Sequence, residues 1–342
     1  MMLHVAVLGT GVMGSQHVRV LSQLPDVKVI AVCDTDKDLA KKVANQFSIP
    51  KQYTDFRQLL RNERPDAVTI ALPTQFHKAA VLASIAEGCH VLVEKPIAPS
   101  VSEAHEMMRA AKKKGIILTV GHIERFNPVV QELKKRLDAH ELGDVYLINT
   151  VRIGPFPKRL FGQVEGVLID LACHDVDIIE HLTGAIKEVT AQLIVSGKQE
   201  IYAKALFKMN KAIQGSSEFS WVSPRRIRKI EVYGTAGMFS GDYQNQTLTF
   251  YENGDVKPID PLKNYYEQIL LKGYVKEGKI LACPIKEEEP LKLELAHFVD
   301  CIKNNKQPAV SPEQATQALH VALQILKAGT TGMTVKIESL SH

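Results

Sequence analysis

The 342-residue chain is expected to fold as a parallel, doubly wound α/β domain followed by an α+β domain with a large, mostly antiparallel open sheet. Three observations lead there. From His4 to about His122, short β-branched runs alternate with longer stretches of helical period, the pattern of βαβ units. Beyond Gly143 the pattern becomes one of consecutive strands joined by short turns, which reads as antiparallel. The length also exceeds the roughly 250 to 300 residues at which single cores stop growing, so two domains are expected. The boundary is drawn to give domains at 1–122 and 123–342.

The first domain is read with strands at 4–8, 27–34, 67–72, 90–94 and 116–120, each apolar almost throughout, as strands covered on both faces must be. Helices fill the gaps. The clearest spans 102–114, with Ser102 as expected N-cap, Lys112, Lys113 and Lys114 complementing the C-terminal dipole, and Gly115 as its stop. Pro128 opens a further helix that ends near Gly143. The second domain is read with strands at 145–152, 189–195, 201–208, 213–221, 227–233 and 246–251, interrupted by one helix at 168–182. Helices at 290–303 and 311–327 close the chain, and either cover one face of the second sheet or pack back on the first domain. A sheet face left open is expected to pair with further copies of the chain, as a homodimer or homotetramer.

A charge of +4, from 42 basic and 38 acidic residues spread along the chain, is too balanced to imply a nucleic-acid or membrane partner. Small anionic ligands fit it better. The five cysteines are scattered and never in C-x-x-C spacing, which argues for reduced thiols and against a disulfide framework or a zinc site. No apolar run approaches a membrane span, and a strand begins within a few residues of the N-terminus, so a cytoplasmic protein without leader or anchor is expected.

Gly9-Thr10-Gly11-Val12-Met13-Gly14 follows the first strand and opens a helical pattern, with Asp34 about twenty residues further on. This is the context a dinucleotide-binding Rossmann turn requires. Gly9 permits the tight turn, Gly11 admits the pyrophosphate to the backbone, and Gly14 lets helix and strand approach. Thr10, Val12 and Met13 line the turn. Asp34 ends the second strand, where it can bond the ribose hydroxyls and repel a 2′-phosphate, so NAD is favoured over NADP, with Lys37 softening the preference. A ligand-free turn and S-adenosylmethionine are the alternatives. Leu72, Thr74 and His77 after the third strand, and Glu94 with Lys95 after the fourth, lie at strand ends where such sheets bind ligands, and should border the nicotinamide.

Asp170 and His174 stand four apart, on one helix face, so that the carboxylate can support the imidazole. His174 is the expected base that takes the hydroxyl proton as hydride leaves an alcohol carbon. The Lys95 ammonium is suited to stabilise the alkoxide, with Asp170 holding the two in register. Arg125 and, more weakly, Asn127 follow the fifth strand on the ligand edge, and Lys158 and Arg159 lie in a Pro-rich loop suited to a nucleotide-sugar diphosphate. His174-Asp175-x-Asp177 lacks the accompanying ligands of a metal site, and no metal is expected.

Gly9-x-Gly11-x-x-Gly14, Glu94-Lys95-Pro96, Gly121-His122 with Arg125-Phe126, and Asp170-x-x-x-His174 together resemble the glucose-fructose oxidoreductase and inositol dehydrogenase family (Gfo/Idh/MocA) over nearly the whole chain. The resemblance implies a Rossmann domain, a C-terminal open sheet that often forms the subunit interface, and a nicotinamide cofactor acting on a sugar or cyclitol. It also implies that Lys95 touches nicotinamide and substrate, that His174 is the acid/base, and that Asp170 binds substrate and orients both. The run 121–128, with Arg152 to Pro157 and Asp170 to Asp175, is most similar to the branch that oxidises UDP-N-acetylglucosamine at C3. Many relatives carry a glycine pair before the aspartate and a glycine two residues after it, where this chain has Glu165-Gly166 and Ala172. A free sugar or inositol dehydrogenase is the alternative, and a non-catalytic NAD-binding redox sensor is the alternative of another class.

Overall fold

The computed structural model describes residues 2–156, 166–210, 213–254, 278–338 and 340. They divide into two units, one formed by Met1–Phe126 with Glu288–Leu323 and the other by Asn127–Glu287 with Gln324–Ser341. Among the described residues no helix is long and apolar enough to cross a membrane. All five cysteines are buried, and no disulfide joins them.

The first unit begins with β1 (Leu3–Leu8), α1 (Val12–Leu21), β2 (Val27–Cys33), α2 (Lys37–Gln46), β3 (Lys51–Tyr53), α3 (Phe56–Glu63), β4 (Ala67–Ile70), α4 (His77–Ala86), β5 (His90–Glu94), α5 (Val101–Lys114) and β6 (Leu118–Gly121). Its sheet is parallel with strand order β3-β2-β1-β4-β5-β6. The order reverses between β1 and β4, the point at which such sheets open a crevice for a ligand. β4 is buried at every position, as a strand covered on both faces requires. β3 adds a sixth strand to the five expected. Its Lys51-Gln52-Tyr53 are exposed or half-buried at the sheet edge, so no apolar pattern announces it.

The cap of α5 lies two residues ahead of the expected one: Ser100, not Ser102, accepts the Glu103 amide at 3.3 Å. Ser100 and Glu103 have the S-x-x-E spacing of a capping box, which fixes the start at Val101. At the other end Gly115, with φ at +65°, stops the helix after three lysines.

In the second unit α6 (Pro128–Asp138) leads to β7 (Val145–Pro155), α7 (Cys173–Thr183), β8 (Ile186–Ser196), β9 (Gln199–Met209), β10 (Gln214–Ser220), β11 (Val222–Gly234), β12 (Gly237–Asp242), β13 (Thr247–Glu252) and β14 (Ile280–Cys283). With β15 (Val335–Lys336) they form a sheet of order β14-β13-β12-β11-β7-β10-β9-β8-β15. Every neighbouring pair is antiparallel except β7 and β10, which run parallel from Leu147↔Gln214 to Ile153↔Ser220. β9 alternates cleanly: Ala203, Ala205, Phe207 and Met209 are buried, while Lys204, Leu206 and Lys208 are exposed. One face is therefore core and the other faces solvent. β12 was not among the expected strands. A Cβ at Gly241 would lie 2.7 Å from Val129 Cγ1, so here glycine lets α6 pack onto the sheet.

The chain then returns to the first unit as α8 (Pro290–Asn304), and α9 (Pro312–Thr331) follows. Of the two placements open for the closing helices, α8 takes the first unit: Leu291, Leu295, Phe298 and Val299 join the core of Val5, Val7, Val18, Leu21 and Leu92. Lys303 Nζ also pairs with Asp26 Oδ2 at 2.8 Å, and Arg19 with Glu289.

Candidate active site

The turn between β1 and α1 is built from backbone. At Gly9, with φ at +90°, a Cβ would lie 2.5 Å from the Ala71 carbonyl oxygen, and at Gly14 it would lie 1.8 Å from the Gly9 oxygen. At Gly11 a Cβ would meet nothing within 4 Å. The two outer glycines are thus demanded by the protein itself, whereas the space before Gly11 is open, as approach of a diphosphate requires. α1 has no side-chain cap and no acid in its first turn, which leaves its N-terminus fit for an anion. Val12 stands 70% exposed beside it.

Asp34 follows β2 and is drawn into the same turn. Its Oδ2 accepts the Thr10 amide at 2.7 Å and the Thr10 hydroxyl at 2.9 Å, and its Oδ1 accepts the Asp36 amide at 3.0 Å. Oδ2 is thereby filled, while Oδ1 keeps acceptor capacity beyond its bond, and the carboxylate is held rigid. The Cys33 thiol alongside is pushed up to about 12 by burial and by the Asp34 charge, so it stays protonated and inert. Gly9, Thr10, Gly11, Gly14 and Asp34 are therefore brought together in one turn whose open backbone could hold the diphosphate of a dinucleotide, and a carboxylate in that place disfavours a 2′-phosphate.

At the ends of β4 and β5 stand two buried histidines, His77 against backbone carbonyls and His17 against the Glu94 side chain. His77 opens α4, and its Nε2 meets the Leu72 carbonyl at 2.8 Å while its Nδ1 meets the Pro96 carbonyl at 2.9 Å. Burial lowers the affinity of His77 for a proton, against the pull of the two carbonyls and the Glu94 charge. With both nitrogens engaged and the residue fully buried, His77 bears on a ligand through the loops it holds rather than through its ring. Thr74 starts the short 3-10 turn Thr74–Phe76 and is buried. Glu94 Oε1 bonds His17 Nε2 at 3.0 Å, and Glu94 Oε2 accepts the Lys95 amide at 3.3 Å. Burial would raise the Glu94 carboxyl, but the His17 bond and the charges of His17, Lys95 and His77 outweigh it and hold it below the usual range.

The helix of Asp170 and His174 is not the uninterrupted helix expected over 168–182. Leu168–Ala172 is a π-helical turn, and α7 begins only at Cys173. Such turns widen a helix locally and are frequent at functional sites. Asp170 is buried in this turn, its amide bonded to the Gly166 carbonyl at 3.2 Å, and His174 is half-buried in the first turn of α7. Gly166 is required by a neighbour: a Cβ there would fall 2.0 Å from the Glu200 carboxylate, which in turn accepts the Leu168 amide at 3.4 Å. Next to His174, Asp175 Oδ1 accepts Arg152 Nε at 2.8 Å with both side chains buried, tying the start of α7 to β7. The Arg152 guanidinium also lies over the Tyr243 ring, 5.5 Å from its centroid.

Arg125 lies buried in the 3-10 turn Ile123–Phe126. Asn127 serves as N-cap of α6, accepting the Val129 amide at 3.1 Å and donating from Nδ2 to the Tyr243 carbonyl at 3.3 Å. Its place is structural in the first instance. Lys158 and Arg159, expected to meet a diphosphate, lie outside the described residues. Among the described residues no group of three potential metal ligands occurs.

Two buried polar residues escaped the sequence reading, His17 and Glu294, and both carried a legible signal. His17 shares the buried face of α1 with Gly14, Val18 and Leu21, and Glu294 shares that of α8 with Leu291, Leu295 and Phe298. A titratable residue on the apolar stripe of a helix is unusual enough to flag. Arg152 entered that reading only as the start of the run to Pro157, and its buried ion pair with Asp175 was not foreseen.

Residues 3–122 match the model of the GFO/IDH/MocA oxidoreductase family with NAD-binding Rossmann fold, and residues 130–240 match the GFO/IDH/MocA C-terminal domain. The chain is similar to a scyllo-inositol 2-dehydrogenase (NAD(+)) of Bacillus subtilis (strain 168), 29% identical over 352 residues that cover 97% of this chain and 96% of the relative. It is also similar to a myo-inositol 2-dehydrogenase of Thermotoga maritima, 24% identical over 355 residues and 99% of each chain. Among solved structures it shares the fold of UDP-N-acetylglucosamine 3-dehydrogenase from Acidithiobacillus ferrooxidans, with a TM-score of 0.81, 24% identity, and coverage of 95% of this chain and 97% of that one.

Proposed function

The chain belongs to the Gfo/Idh/MocA family of NAD-binding oxidoreductases, and on that premise we propose that it oxidises a ring secondary alcohol of a nucleotide sugar, UDP-N-acetylglucosamine at C3. The observation that carries the substrate reading is the run from Gly121 to Pro128, with Arg152 to Pro157 and Asp170 to Asp175, which has the pattern of that branch. Its cations and amides suit a hydroxyl-rich, anionic substrate.

The nicotinamide, when bound, supplies the acceptor for the hydride that leaves the alcohol carbon. The residues of this chain do the rest. Thr10 and Asp34 fix the adenosine end. The imidazole of His174 takes the hydroxyl proton, a transfer worth about 10²- to 10⁴-fold. The Lys95 ammonium faces the alkoxide oxygen as charge develops on it. Asp170, one turn before His174, orients the imidazole and binds substrate. We assign the solvent-facing side of the nine-stranded sheet to self-association and the cytoplasm as compartment.

Absorbance of NADH on mixing protein, NAD and UDP-N-acetylglucosamine tests the reading, with the oxidised carbon located by NMR of the product. A second reading, oxidation of a free inositol, is favoured by the two inositol dehydrogenases that align along nearly the whole chain. Turnover of inositols without turnover of the UDP-sugar would replace the first reading with the second. NADH binding without turnover of any ring alcohol would point to a sensor. In the first two cases His174→Ala should abolish most turnover and leave NADH binding intact.

A further inference from the structure

Lys95 is bracketed by two buried histidines. The residue before it is gripped through its side chain, Glu94 Oε1 bonding His17 Nε2 at 3.0 Å. The residue after it is gripped through its backbone, the Pro96 carbonyl meeting His77 Nδ1 at 2.9 Å. Lys95 itself donates its amide to Glu94 Oε2. Both histidines are fully buried, so neither has a role at the surface. Each also reaches a different ligand-edge loop: His17 lies one turn beyond Gly14 on the helix that the glycine turn opens, and His77 Nε2 holds the Leu72 carbonyl at the loop after β4.

We propose that His17 and His77 are positioning residues for Lys95, joining the glycine turn, the Leu72–Phe76 loop and the Glu94–Pro96 loop into one unit that sets where the ammonium stands. The proposal rests on Lys95 acting in the reaction as described above. Three loops from three strands would otherwise hold their positions independently, and errors of an ångström in a reacting group cost about 10²-fold in rate. Histidine suits the task because its flat ring presents a nitrogen at either end of a buried gap, the neutral ring donating its one N–H to one of the two facing carbonyls. The charged and titratable groups around the pair are Glu94, Lys95 and, from α8, Glu294, on which the Glu94 charge acts.

The test uses the full-length protein in four variants, His17→Leu, His17→Gln, His77→Leu and His77→Gln. Hydrogen exchange in the absence of ligand reads the amides of Lys95 and Ile97 directly. Both leucine variants should speed exchange at these two amides, and His77→Leu also at the loop after Leu72, with the rest of the sheet unchanged. NADH affinity should stay within about threefold, while kcat falls about tenfold or more on whichever alcohol the protein oxidises. His17→Gln, which keeps a donor for Glu94, should recover most of the loss. Wild-type exchange at Lys95 and Ile97 in both leucine variants would overturn the proposal, as would a rate that falls only in step with NADH affinity. If no alcohol is turned over, the substrate reading fails, but the exchange measurement still decides this one. A leucine variant that does not fold leaves the glutamine variant to decide: loss of the local protection in His77→Gln, which cannot span both carbonyls, supports the proposal and full retention overturns it.

Discussion

Two buried polar clusters, one in each unit, make an instructive contrast. Behind β5 stand His17, Glu94 and Glu294; behind α7 stand Arg152, Asp175 and Tyr243. The second is anchored by a guanidinium that never loses its charge, paired with a carboxylate at 2.8 Å. The first is made wholly of groups that titrate, and its two carboxyls behave oppositely. Glu94 is hydrogen-bonded and held below the usual range, whereas Glu294 has no hydrogen-bond partner on either oxygen among the described residues, and burial and the Glu94 charge push it well above. Two carboxyls of one cluster are thus driven in opposite directions, and the hydrogen-bond partner makes the difference. A permanently charged pair fixes an element; a titrating cluster can change its charge with its surroundings.

The contrast is broken most severely at Arg152. Arg152→Met removes the cation and leaves Asp175 buried, which should cost about 3 to 5 kcal/mol in urea unfolding. Adding Asp175→Leu should return most of that stability, since a buried pair is worth little against well-packed apolar residues. If the single and double variants are equally unstable, the pair is not what holds β7 to α7.

The next effect has the opposite sign. Glu294→Leu replaces an acid that lacks a partner with an apolar side chain among Leu291, Leu295 and Phe298, and should stabilise the protein by about 1 to 3 kcal/mol. A lower melting temperature in this variant would show that Glu294 contributes a contact of its own.

The smallest effect is the pH dependence. The depressed Glu94 contributes stability that is present above the unfolded carboxyl value of about 4.3 and is lost as pH falls through its lower folded value. The raised Glu294 does the reverse: its contribution is intact below the unfolded value and is lost as pH rises through its folded value. As pH rises above the unfolded carboxyl value of about 4.3, the stability of Glu294→Gln should therefore gain on that of the wild type, whereas Glu94→Gln should flatten the acid limb. Parallel profiles for wild type and Glu294→Gln would mean that the Glu294 carboxyl does not differ between the folded and unfolded chains.

The two clusters also mark how far sequence reasoning reaches. Gly9, Gly11, Gly14 and Asp34 could be assigned a common site because a strand, a turn and a helix start within one short run fix their geometry. The Ser100 cap was within reach too, since its S-x-x-E spacing is a local signal. β12 was not: Gly241 stands there because α6, distant in sequence, packs against that strand. The π-helical turn at Leu168–Ala172 leaves no mark on the apolar period that predicted a simple helix.

By itself the sequence determined the alternation of strand and helix, the parallel first sheet, the glycine turn with its acid, and the family, because each depends on residues near one another along the chain. Only the tertiary structure decided that α8 joins the first unit, that β10 pairs beside β7, that Asn127 is a helix cap, and that His17 and His77 flank Lys95. These arrangements depend on side chains from distant elements meeting in a core, where burial turns a single hydrogen bond into the difference between a charged and a neutral group.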